Sequence, residues 1–253
     1  MLRFASLGSG SSGNATVVSD GQTHLLIDCG FSAREADRRL RRLHLDLSLI
    51  SAIVVTHEHG DHIRGVPMIA RKYATPVYMT PGTYHARSLG VIPELHLIRD
   101  CAAFNVGNIT VQPVPVPHDA REPVQYLFHC AGRKLGVLTD LGSFNHAVIE
   151  AYQSCHALLV EANHDRQMLA GGPYPLSLKR RVGGPWGHLS NDQTAELLEQ
   201  IDTSCLQHLV VGHISRKNNS LALAQAALAS LTKPLSVAAF ACQDEGFGWL
   251  ELT

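Results

Sequence analysis

The sequence of 253 residues lacks the cysteine spacing of a zinc or redox motif. Its six cysteines are never closer than 25 positions, so a CxxC site is excluded, and they are expected to be buried thiols in a reducing compartment. No run of 18 apolar residues occurs, and residues 1–10 carry no basic segment followed by an apolar one. Neither a membrane helix nor a secretion signal is therefore predicted, and a soluble cytoplasmic protein without membrane contact is the expectation.

The chain also lacks a strong net charge, because 21 basic and 22 acidic residues leave a net charge of −1. Such a balance provides no general attraction to polyanions, so any nucleic-acid contact has to be local. Hydrophobic residues make up 45% of the chain, which is enough for a sizeable core, and the length without a linker predicts a single domain over residues 1–253. Fifteen histidines exceed what surface decoration supplies, and some are expected to bind metal.

Short apolar segments separated by Gly, Pro and Asp turns dominate the middle of the chain, with helical patterns at intervals. This arrangement predicts an α/β fold of two sheets flanked by helices. A buried strand is predicted at 50–56, followed directly by a helix at 63–73. A last helix at 221–231 carries alanine and leucine on every face and is expected to be well buried. The segment 171–187, rich in Gly and Pro, is predicted to be a long functional loop.

The strongest signal is a segment of four potential metal ligands directly after the predicted strand: His57, His59, Asp61 and His62. In a tight turn the first two can point to one side while the last two point to another, which would place two metal sites close together. Imidazole combined with carboxylate suits Zn, Mn or Fe better than Ca or Mg. A polar surface turn that is merely rich in histidine is the alternative interpretation.

This HxHxDH pattern resembles the signature of the metallo-β-lactamase superfamily, whose fold is an αββα sandwich of two mixed β-sheets flanked by helices. The remaining pieces of that signature occur in order, each after an apolar strand: His118, Asp140 and His213. Taken singly, either histidine would more often be structural than a ligand. The resemblance implies two metal ions bridged by Asp140. Their other ligands would be His57, His59 and His118 for one ion, and Asp61, His62 and His213 for the second.

Two cations about 3.5 to 4 Å apart can deprotonate a shared water near neutral pH and stabilise charge on an attacked oxygen. Hydrolysis by a hydroxide that bridges two divalent ions, Zn or Mn, is therefore the predicted chemistry. Superfamily members that bind iron and perform redox reactions tend to carry a Glu at the position of Asp61 and a separate flavin-binding domain. This chain has neither feature.

Three further segments narrow the prediction: a Gly-Ser loop at 7–14, an Asn-His-Asp segment at 163–165 and a Gly-His segment at 186–191. Together with the basic segments 178–181 and 212–219, they closely resemble the YycJ (WalJ) family over nearly the whole chain. That family is related to tRNase Z and to the phosphodiesterase PhnP. The resemblance implies a metal-dependent nuclease, specifically a 5′ to 3′ exonuclease on double-stranded DNA.

Candidate substrate-binding residues come from these loops and from the basic segment: Ser11, Asn14, His164, Lys179, Arg180 and Arg181. The amides of the Gly-Ser loop could receive a phosphate, although a tight connection between strands is the equally weighted alternative. The lysine and the two arginines could supply the local positive field that a neutral protein needs to hold a DNA backbone. Solvated loop charges are the competing interpretation.

His188 and Asp61 are the predicted catalytic residues, Asp61 being a metal ligand as well. The phosphodiesterase relatives carry a non-ligand histidine ahead of the final ligand, in a short Gly-His segment that opens a helix. By that resemblance, His188 would contact the scissile phosphate or protonate the leaving oxygen, for which an imidazole near its normal pKa is suited. A purely structural role is the alternative.

Two other functions stay open at this stage. A small-molecule hydrolase would act on a cyclic phosphate, a thioester or a lactam, and the salt dependence of substrate affinity would separate it from a nuclease. A non-catalytic metal-binding or regulatory module is the other, although the intact ligand set and the additional His188 argue against it. The residues do not specify the metal, the oligomeric state or the pathway.

Overall fold

The computed structural model describes residues 1–99, 101–232 and 238–253. Two seven-stranded mixed sheets form its centre, and in the first sheet the strand order is β14-β1-β2-β3-β4-β5-β6. The first half of this sheet is antiparallel, whereas β3, β4, β5 and β6 run parallel to one another. Its strands are β1 (Leu2–Gly8), β2 (Ala15–Ser19), β3 (His24–Ile27), β4 (Ala52–Val54), β5 (Val77–Met79), β6 (Leu95–Leu97) and β14 (Phe247–Leu252).

The second sheet has the order β13-β12-β11-β10-β9-β8-β7 and repeats this division. Strands β7 to β10 are antiparallel neighbours, whereas β10 to β13 are parallel. Its strands are β7 (Phe104–Val106), β8 (Ile109–Pro115), β9 (Val124–Cys130), β10 (Arg133–Leu138), β11 (Ala157–Glu161), β12 (His208–Gly212) and β13 (Ala238–Phe240).

Ten α-helices are assigned in the described parts of the chain, and none there is long and apolar enough to cross a membrane. They are α1 (Ala33–Leu40), α2 (Gly60–Ile63), α3 (Val66–Tyr73), α4 (Pro81–Ala86), α5 (His146–Ala151), α6 (Arg166–Gly171), α7 (Leu176–Val182), α8 (Asn191–Gln200), α9 (Leu221–Ala227) and α10 (Ala229–Thr232).

Side chains alternate between the two faces of each strand, so the buried residues form three hydrophobic clusters. These clusters lie between four layers: helices, first sheet, second sheet and helices. In β3, Leu25 and Ile27 face the cluster between the two sheets, whereas Leu26 faces the helices α1 and α3. In β10, Val137 joins the same central cluster and Leu138 packs on the other side, towards α5 and α8. Successive side chains on a strand point to opposite faces, so strands that are buried throughout must be covered on both sides. The predicted αββα sandwich is confirmed.

Three sequence-based expectations about helices need correction. The helix predicted at 63–73 is interrupted, because α2 ends at Ile63 and α3 begins at Val66. Gly65 lies at this break, where a Cβ would come within 2.2 Å of the carbonyl oxygen of Phe31. The last helix is divided into α9 and α10 and is not well buried, since Leu221 is 51% exposed. The segment 171–187 is not a continuous loop, because it contains α7.

The two sheets direct their parallel strands towards one edge of the molecule, where the loops that follow β3, β4, β10 and β12 meet. The phenol of Tyr126 on β9 donates a hydrogen bond of 2.7 Å to the carbonyl oxygen of Val55 and ties the sheets together just below this edge. Ligand sites of open α/β sheets usually form beyond the carboxyl ends of such strands. The predicted metal ligands lie there.

Candidate metal centre

Three histidines from two different sheets form a compact set, the histidine group: His57, His59 and His118. His57 and His59 follow β4, and His118 follows β8. Nδ1 of His59 lies 3.0 Å from Nε2 of His57 and 3.3 Å from Nε2 of His118. Three ring nitrogens therefore converge on one point, as a tetrahedral cation with an open fourth position requires.

The outer nitrogens of two of these rings are already occupied, which decides their tautomers. The hydroxyl of Thr56 donates to Asp28, so its oxygen accepts from Nδ1 of His57 at 2.9 Å. Nδ1 of His118 donates to the carbonyl oxygen of Gly187 at 2.9 Å. In both rings Nε2 keeps its lone pair, and burial holds the pKa of His57 well below its ordinary value and that of His118 at about 4. Neutral imidazoles with fixed tautomers are what a metal ion needs.

The remaining predicted ligands form a second set around a buried carboxylate, the carboxylate group: Asp61, His62, Asp140 and His213. Oδ2 of Asp140 lies 3.3 Å from Nε2 of His62, and its Oδ1 lies 3.1 Å from Nδ1 of His213. Oδ2 of Asp61 is 3.7 Å from the same Nε2 of His62. Among the described residues, Oδ2 of Asp140 has no hydrogen-bond partner although it is buried. A buried, unpartnered carboxylate oxygen between two ligand sets fits a bridging metal ligand.

Strained backbone and buried partners support the carboxylate group. His213 and Asp28 adopt φ angles of 50° and 58°, a conformation that is uncommon for residues other than glycine. Nδ1 of His62 lies 2.8 Å from Oδ2 of Asp28, and Nδ1 of His213 lies 2.8 Å from the carbonyl oxygen of Thr139. Such strain persists only where the surroundings hold it, and it is frequent at functional sites.

Electrostatics distinguish this group from the histidine group. Burial would lower the pKa of His62, but Asp140 and Asp28 raise it well above its ordinary value. Burial would also lower the pKa of His213, but the charge of Asp140 outweighs this effect and raises the pKa to about 9. The pKa of Asp140 is held well below its usual range by His213 and His62 despite burial. A metal ion competes with a proton for the same ring nitrogens. Carboxylates that stabilise a protonated imidazole here can therefore also stabilise a divalent cation.

His188 lies beside the metal residues and is held by Glu161, the last residue of β11. Nδ1 of His188 is 3.0 Å from Oε2 of Glu161, whose other oxygen accepts the backbone N–H of Leu141 at 2.7 Å. Burial, followed by the charge of Asp140, raises the pKa of Glu161, and burial lowers that of His188 to about 4. Whichever atom carries the shared proton, this hydrogen bond orients the ring and leaves Nε2 available to a substrate.

A pocket of about 380 Å³, the metal pocket, opens over these residues. Its walls include Ser11, Asp61 and Arg181, which were predicted from the sequence, and also Arg87 and Asp119. Arg181 forms an ion pair with Asp119, whose Oδ1 lies 3.5 Å from Nε2 of His118. The pocket therefore combines metal-binding side chains with two arginines, and such a site suits an anionic substrate.

Asn14, another predicted substrate-binding residue, lies beneath the pocket instead of on its surface. Its Oδ1 accepts the N–H of Gly10 at 2.8 Å, and its Nδ2 lies 3.0 Å from Nε2 of His62. The amide of Ser12 donates to Gln243, and that of Asn14 donates to the carbonyl oxygen of Asp61. Most amides of the Gly-Ser loop are thus already bonded, which favours the interpretation as a tight connection that holds Asp61 and His62.

The other three predicted substrate-binding residues do not reach the metal pocket. His164, Lys179 and Arg180 line a second pocket, on the other side of α7. The structure thus divides the basic segment, because Arg181 faces the metal residues while Lys179 and Arg180 face away from them.

Known proteins resemble this chain in sequence and in fold. Residues 23–214 match the family model described as a beta-lactamase superfamily domain. The exodeoxyribonuclease YycJ of Bacillus anthracis is 34% identical over 98% of this chain and 91% of its own length. The chain belongs to the YycJ/WalJ family of the beta-lactamase superfamily. A second member of the YycJ/WalJ family, the exodeoxyribonuclease WalJ of Streptococcus pneumoniae, is 32% identical over 88% of this chain and 85% of its own length.

Solved structures confirm the fold that the YycJ/WalJ chain adopts. A diphosphatase from the PhnP family superposes with a TM-score of 0.68 at 19% identity, covering 99% of this chain and 98% of that one. The short form of human tRNase Z superposes with a TM-score of 0.67 at 16% identity, covering 99% of both chains. The expected relation to PhnP and tRNase Z is confirmed at the level of the fold.

Three acidic residues at the site were missed by sequence reasoning: Asp28, Asp119 and Glu161. Asp28 and Glu161 stand at the carboxyl ends of β3 and β11, in the segments LLID and LLVE. Asp140 was found in the similar segment VLTD, so an apolar strand that ends in an acidic residue is the signal that could have found them. Asp119 directly follows the ligand His118, and its pairing with Arg181 across 62 positions left no local signal.

Proposed function

We propose that this chain is a metal-dependent exodeoxyribonuclease that hydrolyses double-stranded DNA from the 5′ end. The observation that carries the proposal is the position of Asp140 beside His57, His62 and His118, with an arginine-lined pocket above them. The relatives named exodeoxyribonuclease supply the substrate class. Free thiols at Cys29, Cys130, Cys155, Cys205 and Cys242 suit a reducing compartment, so we propose the cytoplasm as its location.

The proposed cofactors are two divalent cations, Zn or Mn. The histidine group would hold one, Asp61, His62 and His213 would hold the other, and Asp140 would contact both. When bound, such a pair supplies Lewis acidity towards a phosphoryl oxygen and towards the attacking water. The protein contributes the orientation of its ligands, because Thr56, Asp28 and two backbone carbonyls fix the imidazole rings.

His188 is the proposed proton donor to the leaving oxygen. Its Nδ1 is engaged by Glu161, so Nε2 is the nitrogen that can face the departing 3′ or 5′ oxygen. Burial lowers the pKa of His188 to about 4, which differs from the near-normal pKa expected from the sequence. The protonated ring is therefore a strong acid, and the negative charge of a bound phosphate would favour that protonated form. Glu161 is a positioning residue in this proposal, since its Oε2 orients the ring of His188.

Arg181 and Arg87 are the proposed phosphate contacts of the metal pocket. Both line it, and Arg181 is oriented by Asp119. A guanidinium can bind a phosphate through two parallel N–H donors, which fixes the direction of the strand relative to the metal residues. The negative charge of Asp119 keeps this arginine close to the histidine group.

Digestion of duplex DNA that carries a label at either the 5′ or the 3′ end tests the proposal. With Zn or Mn supplied, we expect labelled mononucleotide to be released early from 5′-labelled duplex and late from 3′-labelled duplex. Asp140→Asn should abolish the signal, whereas Asp244→Asn, an exposed acidic position, should retain it. Hydrolysis of bis-p-nitrophenyl phosphate without any digestion of DNA would contradict the nuclease and favour a small phosphodiester as substrate.

A further inference from the structure

The second pocket has a volume of about 520 Å³, within the range of sites that hold a nucleotide-sized ligand. Cationic and polar side chains from three helices line it: Arg166 from α6, Lys179 and Arg180 from α7, and Gln193 from α8. None of the residues that line it is acidic. Its surface is therefore suited to an anion.

His164 forms a buried wall of this pocket and is only 2% exposed. Within the described parts of the chain, its Nδ1 has no hydrogen-bond partner. Its Nε2 faces Gly183, another lining residue, where a Cβ would stand 3.7 Å away. A buried ring nitrogen without a partner is costly unless a ligand or solvent satisfies it. This is an observation independent of the cluster of cations.

Carboxylates near the pocket do not neutralise it. Asp165 caps α6 by accepting the N–H of Met168 at 2.8 Å. Asp192 lies 3.6 Å from Arg166, but both side chains are largely exposed, so the pair is weak. Lys179 donates to the carbonyl oxygen of Ala170, which is uncharged. Arg180 forms no ion pair among the described residues, so its charge is available.

The second pocket and the metal pocket lie on opposite faces of helix α7. Leu178, Arg181 and Val182 line the metal pocket, whereas Leu176, Lys179, Arg180 and Gly183 line the second one. Both sets follow the spacing of three and four residues that puts side chains on one face of a helix. A helix is about 10 Å across with its side chains, so one nucleic-acid strand can reach both pockets.

We propose that the second pocket binds a phosphate group of the DNA substrate other than the one that is hydrolysed. This inference rests on the proposed nuclease function. The phosphate is either the terminal one or an internal one of the backbone, and both present the same anionic oxygens to Lys179, Arg180 and His164.

The test compares the wild type with Lys179→Ala/Arg180→Ala and with the charge-matched control Arg34→Ala/Lys72→Ala, whose exposed positions line neither pocket. No residue of α7 is buried, so the double variant should fold. We expect its KM for duplex DNA to rise about tenfold or more, as for the loss of hydrogen bonds to a charged group. Hydrolysis of bis-p-nitrophenyl phosphate should change less than twofold in both double variants.

A comparison of 5′-phosphorylated with 5′-hydroxyl duplex identifies which phosphate the second pocket binds. If the pocket takes a terminal phosphate, the double variant loses affinity for 5′-phosphorylated duplex but not for 5′-hydroxyl duplex. If it takes an internal phosphate, both duplexes lose affinity equally, and the salt dependence of binding becomes shallower by roughly one to two ion equivalents. A double variant that matches the Arg34→Ala/Lys72→Ala control on both duplexes overturns the inference. Wild-type protein that cleaves no DNA would instead overturn the nuclease proposal.

Discussion

The histidine group and the carboxylate group lie side by side but are built from opposite electrostatics. His57 and His118 are oriented by a hydroxyl and a backbone carbonyl, and burial lowers the pKa values of both rings. Against the effect of burial, Asp140 and Asp28 raise the pKa of His62, and Asp140 raises that of His213. From this difference we expect the two groups to bind a divalent cation with unequal affinity.

The difference has a consequence for metal loading. A site with more carboxylates attracts a divalent cation more strongly and tolerates harder metals such as Mn, whereas three neutral imidazoles suit Zn. We therefore expect the two groups to respond separately to changes in their outer partners. Asp140 is the exception because it faces both groups.

The largest effect is expected from Asp140→Asn, because Asp140 faces both the histidine group and the carboxylate group. An amide cannot supply the negative charge that His62 and His213 face at 3.3 and 3.1 Å. Phosphodiesterase activity should fall roughly a thousandfold, since several kcal/mol of charge stabilisation are lost. Plasma emission spectrometry should find fewer than two metal ions per chain. Unchanged activity and content would show that Asp140 does not join the two groups.

Asp28→Asn should weaken the carboxylate group more than the histidine group, because Asp28 contacts His62 directly and reaches His57 only through the hydroxyl of Thr56. Its amide nitrogen cannot accept from Nδ1 of His62, so the ring loses its orientation. Losing such an outer partner typically costs about 10 to 100-fold in metal affinity. Titration with a chelator should show one cation that leaves more easily while the other is retained. The surface variant Asp244→Asn is the control, and an equal loss at both sites would contradict the comparison.

Glu161→Gln should leave both groups loaded and impair only the step that involves His188. The amide changes the hydrogen bond that orients the ring at 3.0 Å, so kcat should fall about tenfold while KM is retained. Glu150→Gln on the exposed face of α5 serves as the matched control. Because a general acid matters less for a good leaving group, p-nitrophenyl esters should be less affected than DNA. An equal loss on both substrates would mean that Glu161 acts on structure alone.

The smallest effect is expected from Arg181→Ala, beside the histidine group. Its side chain is 57% exposed and its pair with Asp119 is accessible to solvent, so the interaction is screened. KM for bis-p-nitrophenyl phosphate should rise about threefold at low salt and by less at high salt. Arg38→Ala on α1 provides the control for the loss of one exposed arginine. A large fall in kcat would indicate that Arg181 contacts the reacting phosphate more directly.

How far the sequence predicted the site depended on whether a residue's partners were local. His57, His59, Asp61 and His62 come from one short segment, so local sequence alone was enough to group them. Asp119 and Arg181 are 62 positions apart, and only the packing of α7 against the loop after β8 brings them together. The single-domain prediction for residues 1–253 and the assigned roles of the site residues stay predictions.

Helices were the weaker part of the fold prediction. The apolar strand predicted to precede His213 is β12 (His208–Gly212), and it was found because a buried parallel strand is a continuous apolar run with clear ends. The segment 171–187 is predicted as a loop because Gly and Pro residues occur near both of its ends. Its centre, Leu176–Val182, nevertheless forms α7. No residue of α7 is buried, so hydrophobic periodicity carried no signal for it.

Anomalous diffraction from crystals grown with Mn or Zn tests the central claim most directly. Two peaks are predicted about 3.5 to 4 Å apart, one among His57, His59 and His118 and the other among Asp61, His62 and His213, with Asp140 in contact with both. A single peak, or peaks bound by other side chains, would contradict the account.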